Sequence, residues 1–173
     1  TETAHIIRNL AKIMRNALTW NKDMLSVQEE LELTRCFLEI QKYRFGDKLT
    51  YELDVEEAAL DCTIPKMTFL PFVENASIHG IESLKTAGVI RLSVALKKQR
   101  LLFTLADNGV GMSEQKQNQL QGYMHDQMEM GDRIGVQNVI YRLRLYYGNA
   151  FSFRIDSKPG DGTVVKLEIP TER

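Results

Sequence analysis

Asn75 lies within Glu74-Asn75-Ala76-Ser77-Ile78-His79-Gly80, on a stretch where Phe69, Phe72, Val73 and Ala76 fall at helical spacing. A neutral amide carbonyl suits the coordination of a Mg2+ ion held by phosphates, because that ion keeps its waters and takes few protein ligands. The plainer alternative is a helix end whose Asn75 and His79 satisfy local backbone groups. A second cluster, Asp107-Asn108-Gly109-Val110-Gly111-Met112, follows a strand-like run ending at Ala106. A carboxylate at a strand end accepts a hydrogen bond from an exocyclic amine, and the two glycines let the chain turn close against a flat ring. A turn without any ligand is the competing reading, since Asp-Asn-Gly favours turns for its own reasons. The third cluster, Gly131-Asp132-Arg133-Ile134-Gly135-Val136-Gln137-Asn138-Val139, leads into a helical pattern. Backbone N–H groups at such a helix start, with the dipole behind them, form an anion site suited to a phosphate tail. The fourth, Pro159-Gly160-Asp161-Gly162-Thr163, is by itself a good hairpin turn before a final strand.

The elements that must hold these clusters are legible in the hydrophobic periods. Over residues 6–18, Ile6, Leu10, Ile13, Met14, Ala17 and Leu18 recur at helical spacing, which predicts an amphipathic helix in need of a partner. Ser26 and Glu29 form a capping box before a second apolar stripe of Val27, Leu31, Thr34 and Leu38, predicting a helix that runs to about Arg44 and stops near Gly46. The period then changes to two, at Tyr51, Leu53 and Val55, and returns at residues 90–96, 101–105, 151–155 and 165–169. A tight polar turn at residues 97–100 joins two of these runs and argues for a mostly antiparallel sheet. Helices are expected near residues 65–79 and 135–147. Residues 113–132, rich in Gln and Met, fit neither period and read as a long irregular segment, functional or mobile. Strand runs with inserted helices predict an α+β layered sandwich.

Composition removes several function classes. The 173 residues are 43% hydrophobic, enough for one domain with a sizeable core. Lys and Arg total 22 against 23 Asp and Glu, so nothing favours nucleic acid as a partner. Cys36 and Cys62 are the only cysteines and lack zinc-site spacing, which predicts reduced core thiols of a cytoplasmic compartment. No apolar run reaches the roughly 20 residues that cross a bilayer. A helical pattern opening at Thr1 without an initiator Met suits a segment of a longer protein, whose membrane attachment would come through upstream segments.

Taken in order, the four clusters resemble the nucleotide-binding set of the GHKL superfamily, which includes histidine kinases, gyrase, Hsp90 and MutL. The stretches Gln28-Glu29-Glu30-Leu31-Glu32, Leu70-Pro71-Phe72-Val73-Glu74-Asn75-Ala76 and Asn138-Val139-Ile140-Tyr141-Arg142-Leu143-Arg144-Leu145-Tyr146-Tyr147-Gly148 are similar to LytS/YesM-type sensor histidine kinases. The resemblance implies a two-layer α/β sandwich (the Bergerat fold) that holds ATP and Mg2+ under a mobile lid. Carried across, it makes Asn75 the Mg2+ ligand and Asp107 the acceptor of the adenine amine. Gly109 and Gly111 would shape the adenine pocket, Gly131 and Gly135 the lid and phosphate-facing turn, and Thr163 the adenine-side hydrogen-bond network. His79 would border the phosphates.

Further expectations follow from the same resemblance. Residues 1–25 would be the remnant of a dimerisation and phosphoacceptor helical region, and residues 26–173 the ATP-binding catalytic domain. The whole would be the cytoplasmic part of an inner- or plasma-membrane two-component sensor. Its partners would be a response regulator and its own dimerisation helices, giving a homodimer in the full-length protein. Departures from the pattern are also plain. The family often has Lys where Ile78 stands and Gly where Arg133 stands, and its acceptor-histidine motif is absent around His5, His79 and His125. In gyrase, Hsp90 and MutL a water-activating Glu precedes the Asn by one helical turn, and here that position is Pro71. The leading reading is therefore transfer of the γ-phosphate to a histidine upstream, so no catalytic side chain is expected within these residues. The alternative is a non-catalytic nucleotide-binding regulatory module, a pseudokinase.

Overall fold

The computed structural model describes residues 1–19, 21–125 and 135–171. It opens with helix α1 (Glu2–Leu18), followed by a short strand β1 (Met24–Ser26) and helix α2 (Val27–Phe45). The Ser26 side chain accepts from Glu29 N at 3.1 Å while the Glu29 carboxylate accepts from Ser26 N at 2.8 Å, so the expected capping box closes. At the other end Gly46, with φ of 58°, terminates α2 where a side chain would be strained.

Strands β2 (Leu49–Val55), β4 (Gly88–Lys97), β5 (Arg100–Asp107), β6 (Ser152–Lys158) and β7 (Gly162–Pro170) form one sheet in the order β2-β4-β5-β7-β6. All neighbours are antiparallel except β2 and β4, which run parallel across a helical crossover. That crossover carries strand β3 (Thr63–Pro65), helix α3 (Leu70–Asn75) and a π-helical turn at Ala76–Ile81. β3 pairs with β1, so the helix expected from residue 65 starts five residues later, beyond a left-handed Met67. The β4–β5 turn has positive φ at both Lys98 and Gln99, the geometry that matches the right-handed twist of a two-residue hairpin.

Alternation along the central strands sets the layers. Ile90, Leu92, Val94, Leu101, Phe103 and Leu105 are buried, and their neighbours in sequence are more open. Phe69 stacks on Phe103 with ring centroids 4.5 Å apart, and Phe72 bridges Phe103 and Phe153 at 6.1 and 5.9 Å. Helix α5 (Val136–Tyr147) adds Val139, Ile140 and Leu143 to this core. The result is the expected two-layer α+β sandwich, with α1 packed chiefly on α2 among the described residues. Ile7, Leu10, Met14 and Leu18 of α1 remain exposed.

The Gln-rich stretch departs from expectation. Ser113 caps a helix, α4 (Glu114–Gly122), that buries only Leu120. Its Gln121 amide donates to Phe153 O at 2.7 Å and accepts from Ile155 N at 3.1 Å, and Gln117 accepts from Ser157 N at 2.9 Å. Two glutamines one helical turn apart thus pair the open edge of β6 as a neighbouring strand would. The cysteine expectation holds for Cys36, which is buried, but Cys62 is only partly so. Among the described residues no helix is long and apolar enough to cross a membrane.

The aromatic stack carries more of the stability than the cap. Phe103→Ala is expected to cost about 3–5 kcal/mol and Ser26→Ala about 1 kcal/mol, both read from urea unfolding midpoints.

Candidate functional site

Helix α3, the end of β5, the start of α5 and the β6–β7 hairpin enclose a cavity of about 410 Å3. That size lies within the range of small-ligand pockets. Asn75, His79, Asp107, Gly111, Gly135 and Thr163 all line it. One described residue singled out in the sequence does not. Gly109 is buried behind the wall, and Gly131, like Arg133, lies outside the described residues.

Gly109 acts on the cavity through Gly80, which lines it. A Cβ on Gly109 would stand 2.5 Å from the Gly80 backbone, and Val110 N donates to Gly80 O at 3.0 Å. The glycine therefore lets the loop after β5 touch the π-helical turn, main chain against main chain. Gly80 is its counterpart, since a Cβ there would press to 2.9 Å from Asp107 Oδ1. Gly111 and Gly162 allow equally close approaches, a Cβ on the first meeting Lys158 O at 1.9 Å and on the second Asp107 O at 2.0 Å. The π-turn itself places the extra residue of a wide helical turn directly after Asn75, a distortion common at functional sites.

Asp107 sits in the centre of this packing, opposite Thr163 in the β5–β7 register. One carboxylate oxygen accepts from Gly109 N at 2.8 Å. Burial pushes its carboxyl up to about 6, against the pull of the Gly109 and Thr163 backbone N–H groups. Thr163 Oγ1 lies 2.9 Å from Ser157 Oγ, which also accepts from Met112 N at 2.9 Å and donates to Gly162 O at 2.8 Å. Ser157 thus ties the hairpin to the loop after Asp107, a link that no motif in the sequence announced. Leu105, Met112, Ile155 and Val165 supply apolar walls near the carboxylate, and Lys116, Leu120 and Tyr123 reach the cavity from α4 and the turn after it. Lys116, Leu120 and Tyr123 were invisible beforehand because they depend on where α4 docks. Gly135, with φ of 81°, caps the start of α5, and Val136 and Gln137 also line the cavity.

The Asp107 shift fixes a pH dependence. With a folded value of about 6 against an ordinary 3.8, the folded chain binds the extra proton, so its stability falls as pH rises from about 4 to 6. Asp107→Asn should therefore stabilise the ligand-free chain at pH 7.5 by roughly 2 kcal/mol, with the gain vanishing toward pH 4 in paired thermal melts.

The sequence matches the histidine kinase-, DNA gyrase B-, and HSP90-like ATPase family over residues 65–173, and the histidine kinase family over residues 1–49. It is 30% identical to the sensor histidine kinase YesM of Bacillus subtilis (strain 168), over 98% of this chain and 28% of that protein. Identity to the sensor histidine kinase YpdA of Escherichia coli (strain K12) is 32%, over 97% of this chain and 28% of the relative. The chain therefore spans little more than a quarter of the length of these curated relatives. In fold it is similar to the histidine kinase domain of the Erythrobacter litoralis EL346 blue-light activated histidine kinase, with a TM-score of 0.59 and 15% identity over 98% of this chain and 75% of the other. The cavity is thus set in a sandwich shared with solved kinase domains, and the chain belongs to the histidine kinase-, DNA gyrase B-, and HSP90-like ATPase family.

Proposed function

We propose that this chain is the catalytic part of a two-component sensor histidine kinase, which binds Mg-ATP and passes its γ-phosphate to a histidine outside these residues. The observation that carries the reading is the convergence of Asp107, Thr163, Asn75, His79 and the start of α5 on one cavity. Family membership implies ATP binding. The cavity fits that ligand, since it offers a half-buried acceptor, apolar walls, an amide and a helix N-terminus.

Each group has a task that follows from its place. Asp107, ionised above about pH 6, accepts from the exocyclic amine of the purine, and Thr163 holds the adjoining hydroxyl network with Ser157. Leu105, Ile155 and Val165 exclude water from the ring. Asn75 offers its carbonyl oxygen to a metal, His79 borders the phosphates, and the N–H groups at the start of α5 face the anionic tail. Mg2+, when bound, neutralises developing charge on the phosphates. Gly131 would contribute to the lid.

Pro71 supports transfer to a protein over hydrolysis. It occupies the first turn of α3, one helical turn before Asn75, and has no proton acceptor with which to activate water. The attacking nitrogen then belongs to the acceptor histidine, and the chain's part is positioning. Residues 1–25 fit a remnant of the dimerisation region and residues 26–173 the ATP-binding domain. The non-catalytic alternative is not favoured, because the relatives are named as sensor kinases. A homodimer, a response regulator and membrane attachment through upstream segments complete the proposal.

Titration calorimetry tests the binding half. Asp107→Ala should weaken ATP by about a hundredfold, whereas Asn75→Ala should remove only the increment that magnesium adds. With a separately supplied dimerisation segment and labelled ATP, an acid-labile, base-stable phosphoryl group on that segment is expected. Nucleotide binding without label would contradict the kinase reading.

A further inference from the structure

Met67 is a bulky residue in the left-handed region, with φ of 59°, in the loop just before α3. Such a conformation is strained and persists only where the surroundings impose it. Here the surroundings come from two other helices. Glu30 of α2 is 1% exposed, and its carboxylate accepts from Met67 N at 2.5 Å, Thr68 N at 3.1 Å and Phe69 N at 3.2 Å. Arg142 of α5 donates from Nη2 to Met67 O at 2.9 Å, while its buried Nε has no hydrogen-bond partner among the described residues. Both polar backbone atoms of the strained residue are thus pinned, one by each helix.

A buried carboxylate is a costly way to secure a loop. Burial pushes the Glu30 carboxyl up, and the three backbone N–H groups and the Arg142 charge pull it back. What the arrangement secures is the entry to the helix that carries Asn75. Phe69, whose N–H is the last of the three, is also the ring stacked on Phe103 of β5. We propose that Glu30 is a positioning residue for the metal end of the cavity. With Arg142 it locks Met67 in its left-handed turn and so fixes the start of the Asn75 helix. The inference rests on the reading of the cavity as a Mg-ATP site.

A directional consequence separates this role from general support of the fold. Asn75 hangs from α3, whose entry Glu30 holds, but Asp107 hangs from the central sheet, to which the Glu30 carboxylate makes no hydrogen bond among the described residues. A displacement of α2 is therefore felt at Asn75 before Asp107. Because α2 is joined to α1 by Asn9 to Glu39 at 2.7 Å and Lys12 to Glu32 at 2.6 Å, the N-terminal helices gain a mechanical route to the phosphate end of the site.

The test measures affinities of the chain for ATP with and without magnesium, and for adenosine. Glu30→Gln should reduce the magnesium-dependent increment about tenfold and leave adenosine within about twofold. Adding Met67→Gly, which accepts positive φ without strain, should restore most of that increment, as loss of a merely structural side chain would not allow. Should Glu30→Gln fail to fold, Arg142→Gln removes the other pin and is expected to lower the increment in the same direction. If the wild-type chain binds no Mg-ATP, the reading of the cavity fails and this inference with it. If the wild type binds and the variants keep the increment, or lose adenosine to the same degree, the inference alone is overturned.

Discussion

Asp107 can occupy the middle of the cavity wall only because the main chains around it come closer than any side chain would permit. Gly80 and Gly109 bring the π-helical turn against the loop after β5, and Gly162 brings the β6–β7 hairpin against the Asp107 carbonyl. The shape of the cavity follows from these contacts. They set the carboxylate back from bulk water and hold Thr163 beside it, while Asn75 and His79 line the same cavity from one helical segment. A methyl group at Gly109 or Gly162 would push these segments apart before it disturbed any ligand contact.

The same packing explains why the site works against the stability of the fold. A carboxylate whose proton affinity is raised by burial costs the folded chain free energy at neutral pH, and Glu30 repeats the pattern one layer away. The compensations lie in the aromatic stack of Phe69 on Phe103 and in the edge of β6, where Gln117 and Gln121 satisfy groups that would otherwise stay open. The fold supplies the rigidity, and the polar groups at its seams spend part of it on geometry.

What could be read beforehand was whatever has a local cause. The capping box at Ser26 and Glu29, the stop at Gly46, the alternating strands and the apolar face of Phe69, Phe72, Val73 and Ala76 depend on neighbours within a few residues, and all stand where the periods put them. Asp107, Asn75 and Thr163 were legible as site candidates because strand ends and glycine turns mark them. Helix α4 was not legible. Its only buried apolar residue is Leu120, and its docking comes from glutamines that read as solvated until the β6 edge is beside them. The parallel pairing of β2 with β4 depends on a crossover, and the role of Gly109 on a contact with Gly80 in another element, neither of which has a periodic trace. Glu30 looked like one more acid at a helix start until the structure showed which loop it holds.

Asp107 is a desolvated acceptor in the wall of the cavity. Carbon-13 NMR of the Asp107 side-chain carboxyl, followed through a pH titration of the ligand-free chain, reads that state directly. A midpoint of about 6 is expected. A midpoint near the ordinary 3.8 would mean a carboxylate open to water, and would contradict it.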